Sequence, residues 1–157
     1  MTVEDHAPDS STAARHRLLG YAWLAVSFAL AIHVIDEADH DFLAVYQPAA
    51  TGLHRWITFL PMPIVSFGGW LAGLAVVVLA LLVLSPLAFR GGRWIRGASY
   101  GLAALMAANA LTHCLGTLHF NRLLPGTWSA MLLLLAAAWL LVAARRTTPG
   151  HHFPLDP

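Results

Sequence analysis

Residues 18–42 read LLGYAWLAVSFALAIHVIDEADHDF, and this stretch decides the fold. Its first part is an almost wholly apolar run, close to the ~20 residues that a membrane-spanning helix needs. Its last ten residues, HVIDEADHDF, hold two histidines and four carboxylates, which is half of the eight acidic residues in the chain. An apolar run that ends in clustered acid and histidine predicts a helix that leaves the membrane here, with ionisable groups at its end.

The composition of the 157-residue chain agrees with a membrane protein. It is 58% hydrophobic and 11% charged, and its mean hydropathy is +0.64; soluble domains have roughly 25% charged residues. The single cysteine, Cys114, excludes an internal disulfide and any metal site built from several cysteines. A net charge of +1 offers no basic surface for nucleic acid, so none is expected as a partner.

Four apolar segments can each cross the membrane as a helix, and proline or glycine lies in the connections before the second, third and fourth. The prediction is an all-α, polytopic membrane protein with a four-transmembrane-helix bundle at 18–146, a disordered N-terminal tail at 1–17 and a C-terminal tail at 147–157. The predicted helices cover about 18–38, 63–88, 95–119 and 127–144. The connection 41–62 is predicted to be an outer loop, and its amphipathic stretch with His54, Arg55 and Trp56 could cover the site as a lid.

Arginine placement orients the predicted bundle. Seven of the nine basic residues, all arginines, flank the helices on the side of the two termini, and two lie in the other connections. By the positive-inside rule, both termini are cytoplasmic and the HVIDEADHDF end faces the outer side of the cell membrane. A cleavable signal with Ala29-Leu30-Ala31 as its cleavage site is an alternative. We favour an uncleaved helix, since the apolar run continues past Ala31.

The candidate chemistry lies at the end of the first and third helices. His33, Glu37 and His40 are spaced i, i+4 and i+7 on one helix face, with Asp36 beside them. On the third helix Asn109 and His113 are again i, i+4. Counted back from the predicted helix ends, both His33 and His113 lie roughly 8 Å inside the membrane boundary, at the same level. Polar residues at such depth usually face the interior of the bundle.

Several of these residues also have a structural interpretation that requires no catalytic or metal-binding role. His33, Glu37 and His113 could form a hydrogen-bonded cluster that only joins two helices. His40 lies where the helix ends and solvent begins, while Arg122 could neutralise the carboxylates or hold an anionic head group. The pairs Gly69/Gly73 and Gly97/Gly101 predict close helix packing rather than chemistry.

The motif His33-Val34-Ile35-Asp36-Glu37 resembles the opening motif of the HXXEE family, predicted integral membrane proteins of unknown function. Asn109-xxx-His113 resembles the later histidine element of that family, and Leu123-Leu124-Pro125-Gly126 resembles its YxPG motif. Asp36 stands in place of the first glutamate, and Leu123 in place of the tyrosine. The resemblance implies which residues matter and implies no reaction.

Three classes of function fit these residues. The leading one is a membrane-embedded enzyme that acts on a lipid or another lipophilic substrate. It would be a hydrolase or oxidoreductase with zinc or iron as its cofactor. Its metal ligands are drawn from His33, Glu37, His113, His40 and Asn109, and its catalytic residues from Glu37, Asp36, His33, His113 and Arg122. The second is a metal-free acid–base isomerase or cyclase. The third is an ion-coupled carrier or a haem-binding membrane protein. The expected partners are membrane lipids and a lipophilic small molecule.

Overall fold

The computed structural model describes residues 10–55, 58 and 65–147. These residues form five helices: α1 Ser10–Asp39, α2 Phe42–His54, α3 Phe67–Arg90, α4 Arg93–Phe120 and α5 Thr127–Arg146. Of these, α1, α3, α4 and α5 are long and apolar enough to cross a membrane. The predicted fold class, an all-α four-transmembrane-helix bundle, is therefore confirmed.

The four long helices pack in the order α3, α1, α5, α4. The main contacts join α1 to α3, α1 to α5 and α4 to α5, whereas α3 and α4 barely touch. The α1 helix is central, and its fully buried Trp23 donates an indole N–H to the Leu81 carbonyl of α3 at 2.9 Å. Because α3 and α4 do not close against each other, the bundle has an open seam on one side.

Two predicted boundaries need correction. Residues 10–17, predicted as disordered tail, are the first turns of α1, where Arg15 Nη2 donates to Ser11 Oγ at 3.3 Å. Extending a helix that already exists costs little, which explains this longer start. The predicted loop 41–62 contains α2, and a connection of that length rarely lacks structure in a compact domain. Residues 1–9, 56, 57, 59–64 and 148–157 lie outside the described part, so the calls on those residues stay predictions.

The predicted glycine packing is not found at any of the four glycines within the described residues. A Cβ added at Gly73, Gly97 or Gly101 would meet no described atom within 4 Å, and a Cβ at Gly69 would meet only Ser66 Oγ, the cap of its own helix, at 3.1 Å. Close packing instead uses the alanines of α5, of which Ala130, Ala137, Ala143 and Ala144 are nearly inaccessible. Alanine provides the small side chain that lets helices approach in lipid, which leaves Gly73 free to border the seam.

Candidate metal centre

Three side chains meet where α1 and α4 end. Glu37 Oε1 lies 3.0 Å from His113 Nε2 and 3.5 Å from His33 Nε2. The two imidazole rings stand edge to face with their centroids 4.8 Å apart. We call His33, Glu37 and His113 the triad. The structure thus confirms that the two histidines predicted to lie at the same depth come together.

The triad is buried. His33 is 1% exposed, and Glu37 and His113 are each 5% exposed. A buried carboxylate is stable only with a positive partner or hydrogen bonds. Within the described residues, the groups paired with Glu37 are the imidazoles of these two histidines and no arginine. A protonated imidazole or a bound cation is therefore what would stabilise an ionised carboxylate at Glu37.

Ser129 of α5 fixes the orientation of His33. Its hydroxyl lies 2.5 Å from Asp36 Oδ2 and 2.9 Å from His33 Nδ1. Since the hydroxyl has one proton and the short contact is to a carboxylate, Ser129 donates to Asp36 and accepts from His33 Nδ1–H. His33 Nε2 then keeps its lone pair, and this nitrogen lies 3.5 Å from Glu37 Oε1. Histidines that bind metals commonly have such a partner on the other ring nitrogen.

Asn109 contacts the same lone pair. Its Nδ2 lies 2.9 Å from His33 Nε2, so the amide donates and the imidazole accepts. This agrees with the tautomer that Ser129 requires. Asn109 was predicted as a metal ligand; the structure places it within reach of the triad but as a hydrogen-bond donor to His33. A cation on His33 Nε2 would have to replace this hydrogen bond.

Asp36 is connected to the triad through Ser129. Its Oδ2 receives the Ser129 hydroxyl and, at 3.4 Å, the Ser129 backbone N–H in the first turn of α5. A carboxylate at a helix N-terminus satisfies a free N–H group and interacts favourably with the helix dipole. Asp36 was predicted as a catalytic residue. It lies beside the triad, where it orients Ser129 and holds the start of α5.

Gly126 packs directly on the triad. A Cβ at this position would lie 2.9 Å from Glu37 Cγ, 2.9 Å from His113 Cε1 and 3.1 Å from His33 Cε1. Its φ of +81° is in the left-handed region that favours glycine. The turn is held by Thr127, whose hydroxyl is 2.8 Å from that of Thr117 on α4. The Pro125-Gly126 turn therefore closes one side of the site with bare backbone.

The α2 helix covers another side. The Phe42 ring lies 5.5 Å from the His113 ring and 6.0 Å from the Trp70 ring, measured between centroids. Gln47 Nε2 donates to the Val65 carbonyl at 2.8 Å, which ties α2 to the start of α3. The predicted cover over the site is thus a short helix carrying an aromatic ring.

A cleft leads from the triad to the α3–α4 seam. It has a volume of about 490 Å³, and its lining includes His33, Glu37, Asn109 and Phe42 among mostly apolar side chains. A slightly larger open hollow, of about 540 Å³, lies elsewhere on the surface along α2. We regard the α3–α4 cleft as the functional one because the buried titratable groups lie at its base.

Two predicted site residues, His40 and Arg122, lie away from the triad and its contacts. The His40 side chain is 65% exposed, and its Nδ1 lies 3.1 Å from Asp36 Oδ1 and 2.8 Å from the Asp36 carbonyl oxygen. Arg122 is exposed, with its guanidinium 6.0 Å from the centroid of the Phe120 ring. Both follow the last turn of a long helix, where the chain turns away from the bundle axis at Asp41 and Asn121. Neither His40 nor Arg122 reaches the triad.

The sequence analysis missed Ser129 and the packing role of Gly126. Ser129 lies three residues after Gly126, in the first turn of α5. Counting depth from the start of α5, as was done for His33 and His113, would have placed this hydroxyl at the level of the triad. The contact of Gly126 with all three triad residues had no comparable signal, because it depends on how α5 packs against α1 and α4.

The triad fits a small divalent cation. Two imidazole nitrogens and a carboxylate oxygen, all within 4.8 Å of one another, form the donor set. Ligands at about 2.0–2.1 Å from a tetrahedral ion lie roughly 3.3 Å apart, and the two distances to Glu37 Oε1 are 3.0 and 3.5 Å. Movement of the side chains towards one another, with displacement of the Asn109 hydrogen bond, would complete a two-histidine, one-carboxylate site.

Comparison with known proteins gives no assignment: no family model matches the chain, and no curated protein or solved structure matches it. The resemblance to the HXXEE family therefore stays a prediction, and a function can be inferred from the site alone.

Proposed function

We propose that this chain is a membrane-embedded enzyme that acts on a lipophilic substrate, with a divalent metal ion held by His33, Glu37 and His113. One observation carries the proposal: three metal-ligating side chains converge, buried, at the base of a cleft between apolar helices. Ionisable residues inside a membrane protein are costly and are retained mainly where they have a function. The hydrogen bond from His33 Nδ1 to Ser129 adds the supporting contact that metal-binding histidines need.

Each residue of the site has a distinct proposed role. His33, Glu37 and His113 would hold a divalent ion, and such an ion would supply Lewis-acid chemistry for a carbonyl or phosphoryl group or for activation of water or oxygen. His33 and Glu37 face the cleft and so can contact both the ion and a substrate. His113 is held against Glu37 and Phe42 and acts as a fixed ligand. Asn109 lies at the cleft wall, where we expect it to hydrogen-bond a polar group of the substrate.

The arginine distribution supports an orientation for this enzyme. Seven of nine arginines lie on the side of the chain termini, so the termini are assigned to the cytoplasm and the triad to the outer side of the cell membrane. The substrate would then be reached from the outer leaflet. A fusion reporter at Arg146 that is active only in the cytoplasm tests this assignment; activity only outside would contradict it.

Elemental analysis of the protein, purified in detergent without an affinity tag, tests the metal. About one zinc, iron or manganese per chain is expected. The metal should be lost in His113→Ala and retained in His119→Ala, which removes an exposed histidine from the same helix. Equal metal content in the two variants, or no metal in the wild type, would refute the proposed centre.

A search for turnover tests the enzyme. Wild-type protein and Glu37→Gln are each reconstituted with lipid extract from the host membrane, and the lipids are followed by mass spectrometry. The expected result is a lipid that is consumed by the wild type alone. Identical lipid profiles, with metal present and the bundle folded, would contradict an enzymatic role for the triad on membrane lipids.

A second candidate is a metal-free acid–base enzyme. Every buried side-chain nitrogen and oxygen in the described ranges already has a hydrogen-bond partner, and Asn109 occupies the lone pair of His33. A carboxyl group between two imidazoles can move protons in an isomerisation or cyclisation. Substrate turnover by protein that contains no metal would favour this candidate over the first.

A further inference from the structure

The cleft between α3 and α4 has a polar end and an apolar end. His33, Glu37 and Asn109 lie at the end where α1 and α4 finish, and Leu30 and Leu105 lie at the other. From Glu37 back to Leu30 is seven residues along α1, or about 10 Å at 1.5 Å per residue. Polarity therefore falls along the helix axis, from the triad towards the middle of the bundle.

The cleft is open towards the surrounding membrane. Gly69 and Gly73 form part of its wall on α3, and a Cβ at Gly73 would meet nothing. Leu105 on the α4 wall is 63% exposed although it lines the cleft. Since α3 and α4 barely touch, a molecule can enter sideways between them without crossing water.

We propose that this cleft binds one hydrocarbon chain of a membrane amphiphile, with the polar group of that molecule at the triad and its tail towards the bilayer centre. The inference rests on the proposed function for what happens at the polar end, and it names the class of substrate. Both ends of such a molecule match the lining: a chain against leucine, valine and methionine, and a polar group against Asn109 and Glu37.

The direction of the polarity gradient favours a lipid over a second copy of this chain. A lipid in a bilayer carries its polar group at the boundary and its chain at depth, and the cleft has the same order. A helix of another copy packed on Gly69 and Gly73 would place apolar side chains beside buried His33 and Glu37. Those polar groups would gain no partner from it.

Photolabelling tests the binding of the chain. The full-length protein in lipid nanodiscs is exposed to a fatty acid that carries a diazirine in mid-chain, irradiated, digested and mapped by mass spectrometry. Label is expected on Leu105, Met106 and Leu74. Gly73→Leu, which fills the cleft, should lose this label, whereas Gly101→Leu, a glycine on α4 that does not line the cleft, should keep it.

A second variant covers the case in which Gly73→Leu does not fold. Leu105→Trp narrows the same cleft from an exposed position and should also lose the label; Leu135→Trp, 70% exposed on α5, is its control. Label spread evenly over the exposed helix faces would overturn the proposal. So would unchanged labelling in the folded cleft variants.

Labelling needs neither metal nor turnover, so the two proposals can fail separately. Protein that labels in the cleft but contains no metal and consumes no lipid would refute the proposed function and leave the chain-binding cleft in place. Protein with a metal at the triad and no label in the cleft would refute the chain-binding cleft and leave the proposed metal centre in place.

Discussion

The imidazole rings of His33 and His113 lie edge to face, with centroids 4.8 Å apart. They come from α1 and α4. These two helices make few direct contacts with each other, because each packs against α5. The contact between the rings therefore depends on α5, whose first turn provides Gly126 and Ser129 beside them. The site is built from three helices, and its geometry is set as much by the start of α5 as by the histidines themselves.

Replacing Gly126 with alanine should displace the triad. The new Cβ would lie 2.9 Å from Glu37 Cγ and His113 Cε1, and alanine at positive φ costs about 1–2 kcal/mol. We expect lower thermal stability and loss of bound metal. Gly91→Ala is the control, because φ is +71° there as well and the position lies beside His16 at the other end of the bundle. Full metal content in Gly126→Ala would contradict this role.

Replacing Ser129 with alanine should weaken metal binding without unfolding the bundle. The change removes the acceptor of His33 Nδ1–H and the donor to Asp36. Loss of such a supporting contact typically lowers metal affinity 10–100-fold. Metal titration in detergent measures it. The control is Ser27→Ala, a buried serine whose hydroxyl donates to the Trp23 carbonyl within α1; equal affinities in the two variants would exclude the proposed role of Ser129.

Removing His40 or Arg122 should leave metal binding intact. The His40 side chain is 65% exposed and contacts Asp36, and Arg122 lies by Phe120. Solvent-exposed contacts of this kind contribute at most about 1 kcal/mol. The metal content of His40→Ala and Arg122→Ala should match the wild type. A loss as large as that in His113→Ala would show that the site extends beyond the triad.

Trp23 should contribute to stability and not to the site. It is 2% exposed, and its indole N–H binds the Leu81 carbonyl on α3. Trp23→Phe removes this hydrogen bond and part of the packing, for an expected loss of roughly 1–2 kcal/mol. Denaturation in mixed micelles measures this loss against Trp94→Phe, which changes a 64% exposed residue. Metal content should be the same in both variants.

The sequence predicted the helices and the shared depth of His33 and His113 in the bundle, and it did so for a physical reason. A span has a fixed rise per residue and must cover the hydrocarbon core, so counting from the helix ends placed His33 and His113 together. The same counting gives no rotation of one helix about another. It therefore could not predict that Asn109 would donate to His33, that Gly126 would lie on the triad, or that Gly73 would border an open cleft.

His40 and the glycines show the limit of spacing arguments. His40 has the i, i+3 relation to Glu37 that two ligands on one helix face would have, but its exposed side chain contacts Asp36 one turn back and not the triad. Gly97 and Gly101 have the spacing of a packing motif, yet no helix lies against them in the described part of the chain. Spacing places residues on a face, and only tertiary packing decides what that face meets.

X-ray absorption at the edge of the bound metal tests the central claim most directly, because it reports the ligands themselves. The account predicts two imidazole nitrogens and at least one carboxylate oxygen at about 2.0–2.2 Å in the wild type, and a single imidazole in any metal that remains in His113→Ala. A spectrum with no imidazole, or the same spectrum in both proteins, would contradict a metal centre at His33, Glu37 and His113.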